Sequence, residues 1–471
     1  MPMITYRYTI LCLALLFLSV CASVEAQIRM PDIFSDNCVL QHNSKVNIWG
    51  WADANNAVSV KASWNGETQT VKSDAEGRWT AQLTTPDASN SSYTITVSQE
   101  GDTQYTINNV AIGDVWFCSG QSNMEMPVKG WLPECPIEHS ESMIQQSGDY
   151  TQRVRCAMIQ RSRALSPRST CLGKWEPASP AATPHFSAVA YSFAMHLASR
   201  VNHPVGIIVS AWGGSYIEQW LPERSAKKMG VKADAGNAWA WPNPSLLYNA
   251  MVYPLKDYTC AGFLWYQGES NVGDSHYAEK QKELIASWRS EWKEPKAPFY
   301  MVEISPYNYS NDSAPDLRAQ QLKAALETEH CGLVCTNDLV TGIEAARNIH
   351  PGNKLEIGYR LVDFAHKPEW KDPWSPIFKS MQADGDKAII SFSHNDQGFL
   401  PNPDITGFEV AGPDKVFHHA DAEIVNKKQV RVCSPMVKKI VAVRYCWGNT
   451  IIGNLKNRMG LPVFAFRTDN W

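Results

Sequence analysis

Three hydrophobic periods divide the chain. From Gln27 to about Asn109 apolar and polar positions alternate in short runs, as in Val46-Asn47-Ile48-Trp49-Gly50-Trp51, Val58-Ser59-Val60-Lys61-Ala62 and Tyr93-Thr94-Ile95-Thr96-Val97. Asn65-Gly66, Glu76-Gly77 and Glu100-Gly101 supply turns between the runs. Strands at this spacing, with glycine turns and no helical period, predict a β-sandwich.

From Val110 to about Trp370 the period changes. Runs that are apolar throughout recur at Val115-Phe117, Val154-Ile159, Val205-Ser210, Gly262-Tyr266, Phe299-Ile304 and Leu333-Thr336. Helical periodicity falls between several of them, at Ser187-Val201, Tyr277-Trp292, Asp316-Glu327 and Asn353-His366. Such an order predicts an α/β, three-layer domain whose parallel sheet is covered on both faces. Alternation returns from about Asp372 to Trp471, as in Ala388-Ile389-Ile390-Ser391-Phe392 and Gln429-Val430-Arg431-Val432, and predicts a second β-sandwich. The expected boundaries are 27–109, 110–371 and 372–471, so the α/β domain is flanked by N- and C-terminal β-sandwich domains. The 471 residues fit this count, at about 100–200 residues per domain.

The first 26 residues stand apart. Arg7 precedes a short apolar core, Ile10 to Val20, and Val24-Glu25-Ala26 offers small residues at the cleavage positions, as in an export signal. Leu18-Ser19-Val20-Cys21 is similar to a lipobox, but Val20 is bulky for the place before a lipidated cysteine, so cleavage after Ala26 is the preferred expectation. The product would be periplasmic or secreted. No later apolar run approaches the ~20 residues of a membrane span. Export leaves ten of the 12 cysteines in a compartment that permits disulfides, with no metal-ligand spacing among them and no pairing deducible. Cys118 is expected as a small buried apolar residue.

Composition removes further classes. A formal net charge of -4 without a Lys/Arg-rich run leaves no footprint for nucleic acid. The 18 Trp and 17 Tyr suit either stacking on sugar rings or packing in large β cores. No feature implies a metal or an organic cofactor, and oligomeric state is open.

The candidate chemistry lies where apolar runs stop. Ligands of a parallel α/β sheet bind at the carboxyl ends of its strands. Three polar clusters fall there: Gly120-Gln121-Ser122-Asn123, Trp212-Gly213-Gly214-Ser215 and Gln267-Gly268-Glu269-Ser270-Asn271. The first offers a serine nucleophile for acyl transfer, or simply a capped strand-to-helix turn. Gly213 and Gly214 would let a carbonyl oxygen approach a backbone N–H, and Gln267 could add an amide donor. His350, in Ile349-His350-Pro351 before the last predicted helix, is the best general base.

Together the blocks Gly120-Gln121-Ser122-Asn123-Met124, Trp212-Gly213-Gly214-Ser215, Trp265-Tyr266-Gln267-Gly268-Glu269-Ser270-Asn271 and Ile349-His350-Pro351-Gly352-Asn353-Lys354 resemble bacterial sialate O-acetylesterases of the SGNH/GDSL hydrolase superfamily. The resemblance runs over almost the whole chain after residue 26, to the closing Phe466-Arg467-Thr468-Asp469-Asn470-Trp471. It implies a flavodoxin-like SGNH hydrolase domain that removes acetyl groups from sialic acids. Ser122 rather than Ser119 would be the nucleophile and His350 the base. The oxyanion hole would come from the Ser122 N–H, a glycine of the Gly213-Gly214 pair and the Gln267 amide. Gln121, Asn123, Glu269 and Asn271 would support the nucleophile loop, although Glu269 and Asn271 could equally cap the following helix.

The sequence departs from the superfamily at Arg347, where many members carry an aspartate three residues before the histidine. Glu344 and Asp338 lie upstream and could serve as the third member; otherwise a Ser-His dyad is expected. Arg318, Arg347 and Arg444 are candidates to meet a sialic acid carboxylate. Two other readings stay open: an esterase for acetylated xylan or another polysaccharide, and a non-catalytic carbohydrate-binding surface protein.

Overall fold

The computed structural model describes residues 28–99, 104–241, 243–340, 347–367 and 372–471. The export signal and Glu344 lie outside the described residues. Among the described residues, no helix is long and apolar enough to cross a membrane.

The 17-residue strand β7 (Gln104–Gly120) is the spine of the molecule. Its first half belongs to the N-terminal layers, where it pairs antiparallel with β6 (Ser89–Gln99) and parallel with β1 (Val39–Gln41). The antiparallel set continues through β3 (Ala57–Ala62) to β4 (Thr68–Lys72), and β2 (Lys45–Trp51) pairs with β5 (Arg78–Thr84). Alternate side chains of β2, β3 and β5 are buried, as the period-two pattern requires. β7 runs unbroken past residue 109, where the hydrophobic period changes.

From Asp114 onward the same strand is central to a mostly parallel sheet. The other strands are β8 (Val154–Met158), β9 (Trp175–Pro177), β10 (Val205–Ala211), β11 (Gly262–Tyr266), β12 (Phe299–Val302) and β13 (Cys331–Val334), in the order β13-β12-β11-β7-β10-β8-β9. Only β9 is antiparallel to its neighbour. Every residue of β10 and β11 is buried, which explains runs of apolar residues without alternation. The helices Ala188–Val201 and Lys354–Ala365 pack in the core on one face. On the other, Tyr277–Trp292 packs through Trp288 and Trp292, which meet Phe117 and Phe263.

The N-terminal layers share this second core. Phe34 meets Trp49 edge-on at 4.5 Å and stacks on Tyr258 at 5.5 Å. The Tyr258 hydroxyl donates to the Val39 carbonyl (2.7 Å), and Trp175 Nε1 donates to that of Ile33 (2.9 Å). The C-terminal region forms two four-stranded antiparallel sheets, Ile377–Asp384, Lys387–Ser393, Gln429–Cys433 and Asp421–Asn426, and Phe417–His419, Phe408–Ala411, Ala442–Tyr445 and Phe466–Arg467. They enclose a core of Ile390, Phe392, Phe408, Tyr445 and neighbours.

The order of the parallel strands reverses at β7, whose neighbours are β10 and β11. All three candidate clusters therefore leave adjacent strands, at the switch point where open α/β sheets bind ligands. Backbone bonds tie the ends together: Gln121 N–H donates to the Tyr266 carbonyl (3.0 Å) and Trp212 N–H to that of Gly120 (3.1 Å). Gly120 makes this closure possible, with φ at +145° and an imagined Cβ only 2.1 Å from the Tyr266 carbonyl oxygen. Gly120→Ala should cost about 2 kcal/mol or more, read as a lower urea midpoint; an unchanged midpoint would contradict this account.

Candidate active site

Ser122 opens a one-turn helix, Ser122–Glu125, directly after the Gly120 turn. Its hydroxyl lies 2.8 Å from His350 Nε2. The histidine stands on the turn before the helix Lys354–Ala365, which Asn353 caps by accepting from the Glu356 N–H. Asn348 Oδ1 accepts the His350 backbone N–H (2.9 Å), and the edge of Trp131 meets the imidazole at 5.1 Å. Ser119 is directed elsewhere: buried, it donates to the Ser210 carbonyl (2.6 Å).

The supporting residues lie on loops from different strands. Asn123 donates through Nδ2 to the buried Glu269 and to the Ile349 carbonyl (3.0 Å), and accepts from Lys354 Nζ through Oδ1. Gln121 Oε1 faces the Gln267 amide (3.0 Å) and the N–H groups of Gly268 (3.3 Å) and Ser270 (3.4 Å). Asn271 holds the next layer, accepting from the Ile217 N–H and donating to Glu218.

This arrangement sets the electrostatics. Burial drives the Lys354 ammonium down to about 7 while Glu269 opposes the shift. Burial raises the Glu269 carboxyl, and hydrogen bonds and the Lys354 charge only partly offset that. Burial, reinforced by the Lys354 charge, lowers His350 to about 4. The imidazole is consequently neutral at ordinary pH and can accept the Ser122 proton at Nε2.

At the other ring nitrogen stands a thiol. Cys135 Sγ is 3.7 Å from His350 Nδ1 and 3.5 Å from Asn348 Oδ1, so the thiol can donate to the amide while the sulfur receives the Nδ1–H. Its pKa is raised, by burial and then Glu134, which keeps it protonated. Asp338 does not take this place: it forms a fork with Arg360 (2.8 Å to each oxygen) and an ion pair with Lys456 (2.7 Å). No sequence signal singled out Cys135, and Lys354 appeared only as the last residue of a motif.

Two of the expected oxyanion donors are otherwise engaged. The buried Gln267 amide has Gln121 Oε1, the Ser215 carbonyl and Asn271 Oδ1 within 3.1 Å, which consumes its two N–H groups; its oxygen accepts from Tyr277. Gln267 is thus a strut between the three strand-end loops. Gly213 N–H donates to Glu125 Oε2 (2.8 Å), and Glu125 also pairs with Arg161. A Cβ at Gly213 would lie 3.3 Å from both Ser122 Cβ and Glu125 Oε2, a tight fit beside the serine. The N–H groups of Ser122 and Gly214 have no partner among the described residues.

Aromatic side chains border the site. Trp212 and Trp241 are 5.5 Å apart, Trp241 Nε1 donates to the Gly214 carbonyl (3.0 Å), and Trp239 and Trp241 are 42% and 37% exposed. By contrast Trp220, Trp265 and Trp288 are fully buried. Arg318 and Arg444 are engaged by protein partners. Arg318 donates to Asn337 Oδ1 and to the carbonyls of Cys446 and Gly448, and Arg444 forks onto Asp469.

A serine on a strand-to-helix turn, in contact with a neutral histidine at the switch point of a parallel sheet, defines a serine-esterase architecture. The chain belongs to the carbohydrate esterase family of sialic acid-specific acetylesterases, whose model matches residues 112–363. It is 30% identical to the sialate O-acetylesterases of Pongo abelii and Homo sapiens, over 284 and 281 residues, 54% of this chain in each case. The matches cover 53% of each relative, so the chain spans about half their length. A solved carbohydrate acetylesterase from Xanthomonas citri is 31% identical, with a TM-score of 0.83 over 94% of this chain and 100% of that one.

The pH dependence should report the Lys354 charge. Only the neutral imidazole accepts a proton, so hydrolysis of a chromogenic acetyl ester should persist down to an acid limb near the His350 value of about 4. In Lys354→Met the limb should move up toward 6.5 without reaching it, because burial, the larger cause, remains; an unmoved limb would remove Lys354 from this role. Cys135→Ala should lower turnover about tenfold or less, far short of the ~10⁴ lost when a triad carboxylate is neutralised; a loss on that larger scale would show that the thiol does more than hold the ring.

Proposed function

We propose that this chain is a carbohydrate O-acetylesterase working through an acyl-enzyme on Ser122. The observation that carries the reading is the 2.8 Å contact between Ser122 Oγ and His350 Nε2. His350 takes the hydroxyl proton as Ser122 attacks the acetyl carbonyl. The N–H groups of Ser122 and Gly214 are the donors left to receive the oxyanion, and Gly213 would join them if Glu125 turned toward Arg161. The sugar alcohol leaves with the proton from His350, and water, deprotonated by the same nitrogen, releases acetate. The intact pair argues against a purely carbohydrate-binding role.

Family membership supports O-acetylated sialic acids as substrate. A second reading, an acetylated neutral polysaccharide, is favoured by the engagement of Arg318 and Arg444 with protein partners and by the tryptophan border, since flat aromatic faces suit sugar rings. The N-terminal pattern of Arg7, the apolar Ile10 to Val20 and Val24-Glu25-Ala26 supports export to the periplasm or medium.

Acetate release should be measured side by side from O-acetylated sialic acid and acetylated xylan, with Ser122→Ala as control. The variant should lose at least ~10³ of the rate on whichever substrate is used while keeping its thermal transition; retained turnover would overturn the assignment. Trp241→Ala should raise KM for the preferred glycan several-fold and leave that for a small chromogenic acetyl ester nearly unchanged, since stacking acts on the sugar and not on the acetyl group. Equal effects on both would exclude a sugar platform.

A further inference from the structure

Asp114 sits on β7 at the far end of the sheet from Ser122, six residues before Gly120, or about 20 Å at strand rise. Its carboxylate is shared by two imidazoles. His42 Nε2 lies 3.2 Å from Oδ1, and His203 Nε2 lies 2.9 Å from Oδ2. One ligand atom from each residue falls within 4.8 Å of the other two. All three side chains are partly exposed, between 17% and 26%, so solvent and ions can reach them.

We propose that His42, Asp114 and His203 bind a divalent first-row transition cation, zinc being the natural probe, as a structural pin between the N-terminal layers and the parallel sheet. Two imidazole nitrogens and a carboxylate oxygen are a donor set that suits zinc, with water completing a tetrahedron. Zinc–ligand distances of ~2.0–2.1 Å place ligand atoms about 3.3 Å apart, close to the separations between Asp114 and each histidine. Sequence spacing could not reveal the group, because its members are separated by 72 and 89 residues.

The backbone prepares the site before any ion arrives. His42 N–H donates to the Gly113 carbonyl (2.9 Å) and Asp114 N–H to that of Pro204 (3.0 Å), so the three chain segments are already joined. Gly113 allows the approach: a Cβ there would lie 1.9 Å from the Pro204 carbonyl oxygen. Without metal, the two rings donate Nε2–H to the carboxylate. Coordination needs both Nε2 lone pairs, so each ring moves its proton to Nδ1, and the exposed Asn43, whose Nδ2 now faces His42 Nδ1 at 3.3 Å, must turn its amide.

The test uses the full-length chain, stripped with a chelator and freed of any affinity tag. Zinc at micromolar concentration should raise the melting midpoint by several degrees, and cobalt should give the visible absorption band of a tetrahedral site. His42→Gln/His203→Gln should weaken zinc binding at least tenfold and abolish both responses, while acetate release from a chromogenic ester stays at the wild-type rate. Equal zinc affinity in wild type and variant, or a wild type that binds neither ion at 100 μM, would overturn the proposal. Should the variant fold poorly, the cobalt band of the wild type and its loss on adding excess zinc decide alone. Since the ion would sit at the opposite strand end, loss of metal binding with full Ser122-dependent activity is the expected pattern, and a failed esterase assay would leave the metal result readable.

Discussion

The side-chain amide of Asn123 is the joint on which the site depends. It follows Ser122, reaches the Glu269 loop, and binds both the carbonyl before His350 and the Lys354 side chain. The Ile349 carbonyl can only accept, and Lys354 as the ammonium only donates, so the orientation of the amide is set by its partners. No other side chain of this size both donates twice and accepts while remaining neutral. An aspartate here would set a second carboxylate against the buried Glu269 and leave the Ile349 carbonyl without a donor. The Ser122–His350 distance is thus inherited from a polar core in which donor and acceptor directions are complementary.

The same core fixes the charge state of the base. Burying an ammonium and a carboxylate costs several kcal/mol per ion before their attraction and hydrogen bonds offset it. Here the two groups are bridged by a neutral amide rather than joined directly, and each only partly offsets the other's burial. Burial, reinforced by the Lys354 charge, accordingly holds the His350 imidazole neutral. Among the described residues one Glu269 oxygen has no partner, a further sign that this layer is not optimised for stability alone.

Much of this architecture was legible in the chain because it follows from periodicity. The apolar runs at 205–210 and 262–266 became β10 and β11, and Tyr277–Trp292 is a helix with the expected ends. The strand-end clusters were legible for the same reason, since loss of apolar character marks where a parallel strand leaves the core. What could not be read was the direction of side-chain amides and thiols. Gln267 looked like a free donor because a sequence does not show that Tyr277, Ser215 and Asn271 converge on it. Asp338 looked available because its partners, Arg360 and Lys456, come from distant segments. Cys135 lies in a loop with no period at all, and only the fold brings it to His350. Individual tryptophans were equally ambiguous: Trp265 and Trp288 fill the core, whereas Trp239 and Trp241 reach the surface.

A thiol beside His350 changes how the chemistry is divided. A triad carboxylate both fixes the tautomer and stabilises the imidazolium formed on proton transfer. The neutral Cys135 thiol, itself tethered to Asn348, can do the first and contributes little to the second. In the proposed mechanism, a protonated Lys354 opposes imidazolium formation and makes His350 a weaker base. Stabilisation of the transition state in that mechanism then falls mainly to the oxyanion side, where the N–H groups of Ser122 and Gly214 have no partner among the described residues. A weaker base also gives up its proton more readily to the leaving alcohol. Sugar hydroxyls are poor leaving groups, and for them a strongly acidic imidazolium assists the step that follows attack.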